Sequence, residues 1–232
     1  YGVSPQADIR AVNIKPEANG SNFDVFVKGR KTNNSDVIEG LYLPMIGEHN
    51  VLNALASVAV AVEMKMEESV VREALGSFAG VKRRFTQTGE VDGIVVIDDY
   101  GHHPVEISAV LRAARSTVRG KVIAVVQPHR YSRLRDLFEE FCTCFNDADF
   151  VIVADVFAAG EISIKGVGRD SLVEGLRHHG HRAVQPLVGP EHLAELVAEI
   201  AVPGDMIVCL GAGNITQWAS ELPNQLRARR SL

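Results

Sequence analysis

The sequence predicts an α/β protein whose larger part is a mostly parallel sheet with helices on both faces. From Gly89 onward, short apolar runs alternate with helical patterns, which is typical of parallel strands joined by crossover helices. The apolar runs are also unbroken, as in IVVI, VIAVV, FVIVA and MIVCL. Strands that are buried on both faces require such runs, whereas half-exposed strands alternate.

The part before Gly89 predicts an antiparallel meander followed by two helices. Pro16, Asn19-Gly20 and the polar stretch Lys31–Asp36 separate three β-rich runs. These runs are Asp8–Ile14, Phe23–Lys28 and Gly40–Met45. The next helix, Asn50–Met64, is apolar nearly all round, so we expect it to be buried. A second helix is predicted over Glu68–Ser77.

The second part follows in strand–helix pairs. Its strands are predicted at Ile94–Asp99, Lys121–Gln127, Phe150–Phe157, Ala183–Val188 and Asp205–Leu210. Its helices are predicted at Pro104–Val118, Ser132–Asn146, Asp170–His178, Glu191–Ile200 and Ile215–Leu226. The pattern changes over residues 81–88, so we expect two domains, 1–81 and 82–232.

Composition excludes several classes of protein. The 232 residues are 46% hydrophobic and 23% charged, as in ordinary globular proteins, and the net charge of −5 argues against a surface that coats nucleic acid. The longest apolar run, Ala54–Val62, is too short to cross a membrane. An odd number of cysteines and the lack of a signal-peptide pattern predict a reduced, cytoplasmic protein.

Ligands of open α/β sheets bind beyond the carboxyl ends of the strands, so the residues that follow each apolar run are the candidates. After the first run comes DDYGHHP. Asp98 and Asp99 are adjacent in a strand and point to opposite faces, so we expect one to bond inward and the other to face a cleft. Pro104 suits a first helical position, and His102 and His103 either cap that helix or belong to the site.

The second run is followed by QPHRYSR, which predicts an anion site. Arg130 and Arg133 are three residues apart where a helix begins. If the helix includes both, the two guanidiniums share a face and converge with free backbone N–H groups on a phosphate or carboxylate. The alternative is a solvated arginine face that includes Arg135. Its possible ion-pair partners are Asp136, Glu139 and Glu140.

Two further patterns bear on nucleotides. The turn Gly211-Ala212-Gly213 has Thr216 where a dinucleotide fingerprint has its third glycine, and it follows the last strand, so a tight structural turn is favoured. Asn50 and Asn53 lie on one face of the apolar helix, and their amides suit the edge of a nucleobase. Asn50 alone is equally an N-cap, whereas an amide buried at Asn53 needs partners.

Together these segments resemble the Mur ligase family. The segments are GEHNVLNALASVAVA, FAGVKRRF, DDYGHHPVEI, QPHRYSRLRDLF, AGE after a strand, and GAGNI, in that order. The resemblance implies the end of the family's central α/β ATPase domain over residues 1–81, followed by its C-terminal Rossmann-like domain over 82–232. DDYGHHP with QPHRYSR favours the members that add alanine.

The resemblance also implies an activity: ligation of L-alanine to UDP-N-acetylmuramate, driven by ATP with Mg²⁺ through an acyl phosphate, in peptidoglycan precursor synthesis. Adenine contacts are implied for Asn50 and Asn53, with His49 beside them, and nucleotide contacts for Arg84 and Asp99. Residues near the phosphates, the reacting carboxylate or the incoming amino acid are Tyr100, His102, Arg130 and Arg133, of which the last three are the catalytic candidates.

One element of the family pattern is missing. The sequence contains no G-x-x-x-x-G-K-[ST], so the phosphate loop and the metal ligands are expected upstream of Tyr1 in the missing N-terminal portion of the same protein, and no metal ligand is assigned here. The chain is then a fragment that is inactive alone. Two alternatives stay open: a nucleotide-binding module without chemistry, and a nicotinamide-dependent oxidoreductase.

Overall fold

The computed structural model describes residues 1–17, 19–29 and 36–230. The chain folds as two compact units, Tyr1–Val81 and Lys82–Leu232. Of the predicted polar stretch Lys31–Asp36, only Asp36 is among the described residues.

The first unit is a three-stranded antiparallel meander with two helices packed against it. Its strands are β1 (Ile9–Glu17), β2 (Gly20–Val27) and β3 (Val37–Leu43), and its helices are α1 (Glu48–Glu63) and α2 (Glu68–Gly76). The strands pair in sequence order, and this confirms the predicted meander. One apolar core joins the inner face of the sheet to both helices.

Helix α1 is buried along one side only, so the expectation of a helix buried all round is wrong for the described residues. Val51, Leu55 and Val58 lie in the core, spaced as one face of a helix. Val60, on another face, is 59% exposed. The sheet offers α1 a single surface, and apolar residues on its other faces remain at the surface.

The second unit is a six-stranded sheet in the order β4-β5-β9-β6-β7-β8. Its strands are β4 (Thr86–Val91), β5 (Ile94–Asp99), β6 (Val122–Val126), β7 (Phe150–Val153), β8 (Val184–Pro186) and β9 (Met206–Leu210). All adjacent pairs are parallel except β4 with β5. The predicted α/β class with a mostly parallel sheet is confirmed.

Strand β4 is absent from the prediction, which placed a domain boundary over its first residues. Its sequence, TQTGEV, is polar and contains a glycine, so it lacks the pattern of a strand. The signal that predicts it is the turn that follows, Asp92-Gly93. Both residues have positive φ, 50° and 76°, as a two-residue hairpin turn requires.

Helices cover both faces of this sheet. They are α3 (Pro104–Thr117), α4 (Tyr131–Asp136), α5 (Phe138–Thr143), α6 (Arg169–His178), α7 (Leu193–Ile200) and α8 (Ile215–Arg230). One apolar core lies under α3 to α6, and the other lies under α7 and α8. The helix predicted over Ser132–Asn146 is broken at Leu137, where φ is −119° and ψ is 29°. No Gly or Pro marks that break in the sequence.

Helix α8 continues past Pro223 and ends four residues later than predicted. A proline removes the hydrogen bond to the carbonyl oxygen four residues earlier. That oxygen, on Ala219, accepts instead from Thr88 Oγ1 of β4 at 2.7 Å. Gly89 supplies the room for Pro223, since a Cβ there would lie 2.8 Å from the proline ring. Strand β4 therefore stabilises the helix at its proline.

Two further findings concern the part of the chain that the structure describes. Cys142, Cys144 and Cys209 are all buried free thiols. Burial raises the pKa of the Cys142 thiol to about 11, which keeps it protonated and unreactive at neutral pH.

In the described ranges, no helix combines the length and apolarity that a membrane crossing needs.

Candidate functional site

Four loops of the second unit meet at the carboxyl edge of its parallel sheet, as the sequence predicts. They follow β5, β9, β6 and β7, which are neighbours in the sheet in that order. Hydrogen bonds join them: Gly211 N donates to Asp99 O at 3.2 Å, and Arg130 N donates to Phe157 O at 2.9 Å. The candidate site is therefore one continuous surface rather than separate loops.

Both aspartates at the end of β5 are buried, so neither faces a cleft. Asp99 accepts hydrogen bonds from the backbone N–H groups of Phe85 and Gly101, each at 2.7 Å. Burial raises the pKa of Asp99 to about 6, against the lowering effect of these two hydrogen bonds and of the Arg84 guanidinium. Asp99 thus fixes the loop, and both of its oxygens have backbone partners.

Asp98 belongs to a network around Arg83. Asp98 Oδ2 accepts from Thr216 Oγ1 at 2.6 Å and lies 3.7 Å from Arg83 Nε. Arg83 Nη2 donates to the carbonyl oxygens of Gly211 and Gly213 at 2.5 and 3.3 Å. One guanidinium therefore connects the loops that follow β5 and β9.

A row of aromatic rings runs along this edge. The Arg83 guanidinium lies 4.8 Å from the centroid of the Tyr100 ring, and that of Arg84 lies 5.9 Å from it. Beyond Tyr100, successive ring centroids lie 5.1 Å apart from Tyr100 to His102, 5.7 Å from His102 to His129 and 5.5 Å from His129 to Phe157.

His102 and His103 have different surroundings. His103 Nδ1 accepts from Val105 N at 3.4 Å, so His103 caps α3. His102 places Nδ1 2.9 Å from the Tyr100 carbonyl oxygen and 3.7 Å from Glu106 Oε2. Glu106 also accepts from the backbone N–H groups of both histidines, which lowers its pKa even though burial opposes the shift. The ring of His102 is therefore a member of the site rather than a cap.

Both predicted arginines lie near His129. Arg133 Nη1 donates to the carbonyl oxygen of His129 at 3.0 Å and lies 3.3 Å from its Nδ1. Burial lowers the pKa of His129, and the positive charges of Arg133 and Arg130 and the proximity of His102 lower it further. The site thus combines the permanent positive charge of the arginines with an imidazole whose lowered pKa favours its neutral form.

The expectation that Arg130 and Arg133 share a helix face is wrong. Helix α4 begins at Tyr131, and Arg130 precedes it with a φ of 74°. The acidic neighbour of Arg130 is Glu161, whose Oε1 lies 3.9 Å from Arg130 Nη1. Glu161 also accepts from the Ser132 hydroxyl at 2.6 Å and the Ser132 N–H at 3.0 Å. A carboxylate from the loop that follows β7 thus accepts a hydrogen bond from a free backbone N–H group at the start of α4.

The solvated-arginine alternative describes Arg135 rather than the two site arginines. Arg135 is exposed and pairs with Asp136 at 2.7 Å on the same short helix. Of the other suggested partners, Glu139 pairs with His179 at 3.0 Å. Arg135 therefore offers a matched control for substitutions at Arg133.

The Gly211-Ala212-Gly213 turn is filled by protein. A Cβ on Gly213 would lie 2.4 Å from Gln127 Oε1 and 2.7 Å from Phe157 Cγ. Gln127 Oε1 accepts from Ile215 N at 3.2 Å, at the start of α8. The glycines therefore serve close packing of the turn against Gln127 and Phe157, which agrees with the tight structural turn that the sequence favours.

The residues singled out in the first unit lie at the start of α1. Asn50 is buried, and its Nδ2 donates to the Ile46 carbonyl oxygen at 2.8 Å. The N-cap position falls on Gly47, so Asn50 is not the N-cap. Asn53 is exposed, which removes the expectation of a buried amide there, and His49 is partly buried. Asn53 is thus the amide that α1 presents to solvent.

Sequence reasoning did not assign a site role to His129 or Glu161. Both stand in the quoted motifs, in QPHRYSR and AGE, and their position beyond strand ends was the available signal. The basic run Lys82–Arg84 is predicted from the sequence either to reach a phosphate or to be solvated, and in the structure Arg83 donates to the Gly211 carbonyl oxygen and lies 3.7 Å from Asp98. In the described ranges, no three His, Cys, Asp or Glu side chains converge to hold a metal ion.

The second unit is a Rossmann-like domain with a mostly parallel sheet, and the carboxyl edge of that sheet carries arginines and imidazoles. Residues 83–213 match the family model described as "Mur ligase, glutamate ligase domain". The chain belongs to the Mur ligase family, as the sequence motifs indicated.

The curated relatives that this chain resembles include two ligases that carry the same enzyme name. The UDP-N-acetylmuramate–L-alanine ligase of Gluconobacter oxydans is 62% identical over 228 residues, which are 98% of this chain and 48% of the relative. That of Rhodospirillum centenum is 61% identical, over 98% of this chain and 47% of the relative. The chain thus spans about half the length of the curated relatives it matches.

Solved structures agree on the fold. The UDP-N-acetylmuramate-alanine ligase MurC of Thermotoga maritima is 25% identical with a TM-score of 0.77, covering 99% of this chain and 47% of that chain. The murein peptide ligase of Psychrobacter arcticus is 23% identical with a TM-score of 0.67, covering 97% and 45% of the two chains. The second match concerns the fold alone.

Proposed function

We propose that this chain is part of an ATP-dependent ligase that joins L-alanine to UDP-N-acetylmuramate. The observation that carries the proposal is the pair of guanidiniums around His129 at the carboxyl edge of a Mur ligase sheet. Relatives about 60% identical over nearly the whole chain bear that enzyme's name. Residues 1–81 are proposed as the end of the central domain, and 82–232 as the C-terminal domain.

The proposed reaction has two steps. The lactyl carboxylate of UDP-N-acetylmuramate attacks the γ-phosphate of ATP, giving an acyl phosphate and ADP. The amine of L-alanine then attacks the acyl carbon, an amide forms and phosphate leaves. The carboxylate, the transferring phosphate and the acyl phosphate are all anionic, so catalysis depends on positioning and charge stabilisation. Arg130 and Arg133 supply fixed positive charge for that purpose.

Nucleotide contacts are proposed for each unit by itself. In the first unit, Asn53 is the amide available to an adenine edge, and Asn50, beside His49, holds the start of α1 by donating to the Ile46 carbonyl oxygen. Arg84 is proposed as a phosphate contact. Asp99 acts indirectly, because both of its oxygens hold the backbone of the loop that carries Tyr100.

Mg²⁺ is proposed for the whole protein because it neutralises charge on transferring phosphates. The described residues do not offer a set of ligands for it. Its ligands and the phosphate loop are therefore sought in the other half of the protein. A cytoplasmic location is proposed because the three buried cysteines are free thiols, as in reducing compartments.

The test uses a chimaera in which this chain replaces the matching 228 residues of the Gluconobacter oxydans ligase. We expect ADP release that requires both UDP-N-acetylmuramate and L-alanine, with one amide formed per ADP. A folded chimaera that binds ATP and forms no amide supports the nucleotide-binding module instead. Hydride transfer with a nicotinamide cofactor would support the oxidoreductase.

A further inference from the structure

The Nδ1 atoms of His102 and His129 have opposite hydrogen-bonding roles: one donates and the other accepts. The chemistry of each partner shows which role each atom has. A carbonyl oxygen only accepts hydrogen bonds, so the 2.9 Å contact between His102 Nδ1 and Tyr100 O requires a proton on Nδ1. An arginine only donates, so the 3.3 Å contact between Arg133 Nη1 and His129 Nδ1 requires a lone pair on that Nδ1.

These contacts fix the tautomers. Neutral His102 then carries its lone pair on Nε2, and neutral His129 carries its proton there. Among the described residues, no hydrogen-bond partner occupies His102 Nε2, and the side chain keeps 19% of its surface exposed. His103 is excluded from a similar role, because its Nδ1 caps α3. The site therefore offers one unoccupied imidazole lone pair, at His102.

A carboxylate lies close to the ring of His102. Glu106 Oε2 lies 3.7 Å from Nδ1, on the side away from Nε2. Glu106 is itself held by the backbone N–H groups of His102 and His103 at 3.1 and 3.3 Å. A carbonyl oxygen that orients an imidazole through Nδ1–H, with a carboxylate close enough to offset positive charge on the ring, is an arrangement that suits a general base.

The proposed reaction needs such a group. An amino acid carries its amine as an ammonium at neutral pH, and an ammonium has no lone pair with which to attack carbon. We propose that His102 Nε2 accepts a proton from the ammonium of the incoming amino acid. This inference rests on the function proposed above and adds the group that makes the amine a nucleophile.

In the proposed amide-forming step, the ammonium gives one proton to His102 Nε2 and becomes a neutral amine. Its lone pair forms the C–N bond to the acyl carbon, and the bond from that carbon to the phosphate oxygen breaks. The nitrogen loses its second proton to the departing phosphate. His102 then releases the proton accepted on Nε2 to solvent, which restores the neutral imidazole.

Hydroxylamine separates this role from other roles, because it is already unprotonated at neutral pH and needs no base. In the chimaera, His102→Gln is expected to lower kcat with L-alanine about 100-fold or more. Hydroxamate formation from UDP-N-acetylmuramate, ATP and hydroxylamine is expected to stay within about threefold of the unsubstituted chimaera. The matched control, His103→Asn, keeps a capping side chain and is expected to change neither rate.

The outcomes are distinguishable. Equal loss of amide and hydroxamate in His102→Gln, or no loss of amide, would overturn the role of His102. An unsubstituted chimaera that forms neither product would instead count against the proposed function. A second measurement does not need activity: ¹⁵N spectra of the imidazoles in this chain are expected to show the proton on Nδ1 of His102 and on Nε2 of His129. A proton on His102 Nε2 would overturn the proposal.

Discussion

Arg133 contacts His129 at two points through a single nitrogen. Its Nη1 donates to the His129 carbonyl oxygen at 3.0 Å and lies 3.3 Å from the ring Nδ1. Among the described residues, no hydrogen-bond partner is found for its Nη2 and Nε. The planar fork of one arginine can thus contact an imidazole and still direct two donors elsewhere, a geometry that the single nitrogen of a lysine does not reproduce.

The first prediction follows from that geometry. Arg133→Lys retains the charge but replaces the planar guanidinium fork by a single ammonium nitrogen, which cannot contact His129 and also present two parallel donors to a ligand. We expect kcat/KM for L-alanine in the chimaera to fall about tenfold or more, the loss of one charge-assisted hydrogen bond. Arg135→Lys, on the same helix and paired with Asp136, is expected to stay within about twofold. Equal rates for both variants would remove Arg133 from the site.

The second prediction concerns the buried carboxyl of Asp99. Its folded-state pKa is raised to about 6 from an ordinary 3.8, so the folded protein favours the protonated form. The associated stability is fully present below pH 3.8 and is lost as pH rises through 6. A difference of about two pKa units corresponds to roughly 3 kcal/mol.

Asp99→Asn removes this titration and leaves the other ionisable groups in place. The free energy of unfolding, followed by the fluorescence of Trp218, is to be measured from pH 4 to pH 7.5 for both proteins. We expect wild type to lose roughly 2.5 kcal/mol relative to the variant over that range, because part of the difference lies below pH 4. A difference that does not change with pH would contradict the raised pKa.

The third prediction concerns Gly213. An alanine there brings Cβ to 2.4 Å from Gln127 Oε1 and 2.7 Å from Phe157 Cγ. We expect Gly213→Ala to lower the free energy of unfolding by about 2–3 kcal/mol. The control is Gly168→Ala, which meets no atom within 4 Å and has extended backbone. Its expected cost is about 1 kcal/mol or less, from weaker N-capping. A tolerated Gly213→Ala would mean that the turn is open enough for a ligand.

The fourth prediction concerns the first unit. Asn53→Ala is expected to raise KM for ATP in the chimaera about tenfold, as loss of a hydrogen bond or two to the adenine would. Ser57→Ala, one turn further along α1 and also exposed, is expected to leave KM unchanged. An unchanged KM in Asn53→Ala would remove that residue from the nucleotide contacts.

Much of the architecture follows from local sequence, because unbroken apolar runs such as that at β6 identify buried parallel strands without tertiary information. The errors lie where tertiary contacts decide. Thr86–Val91 is a strand because it pairs with β5, and the break at Leu137 has no local signal. Helix α1 is apolar on faces that its sheet does not cover.

The candidate site shows the same division. Motifs after strand ends identified Arg130, Arg133 and His102, because polar loops at the carboxyl edge are visible in the sequence. The start of α4 at Tyr131 was not visible, since it depends on Glu161 from another loop accepting from Ser132. Nor was the burial of Asp98 and Asp99, which depends on partners up to 118 residues away.

The central claim is that positive charge at the carboxyl edge of this sheet drives an ATP-dependent ligation. The most direct measurement is steady-state turnover of the chimaera and its Arg130→Ala variant with UDP-N-acetylmuramate, L-alanine and ATP. We expect kcat to fall about 100-fold or more while the Kd for ATP changes less than about threefold, since the lost charge acts on reacting groups. An unchanged kcat in a folded Arg130→Ala chimaera would contradict the account.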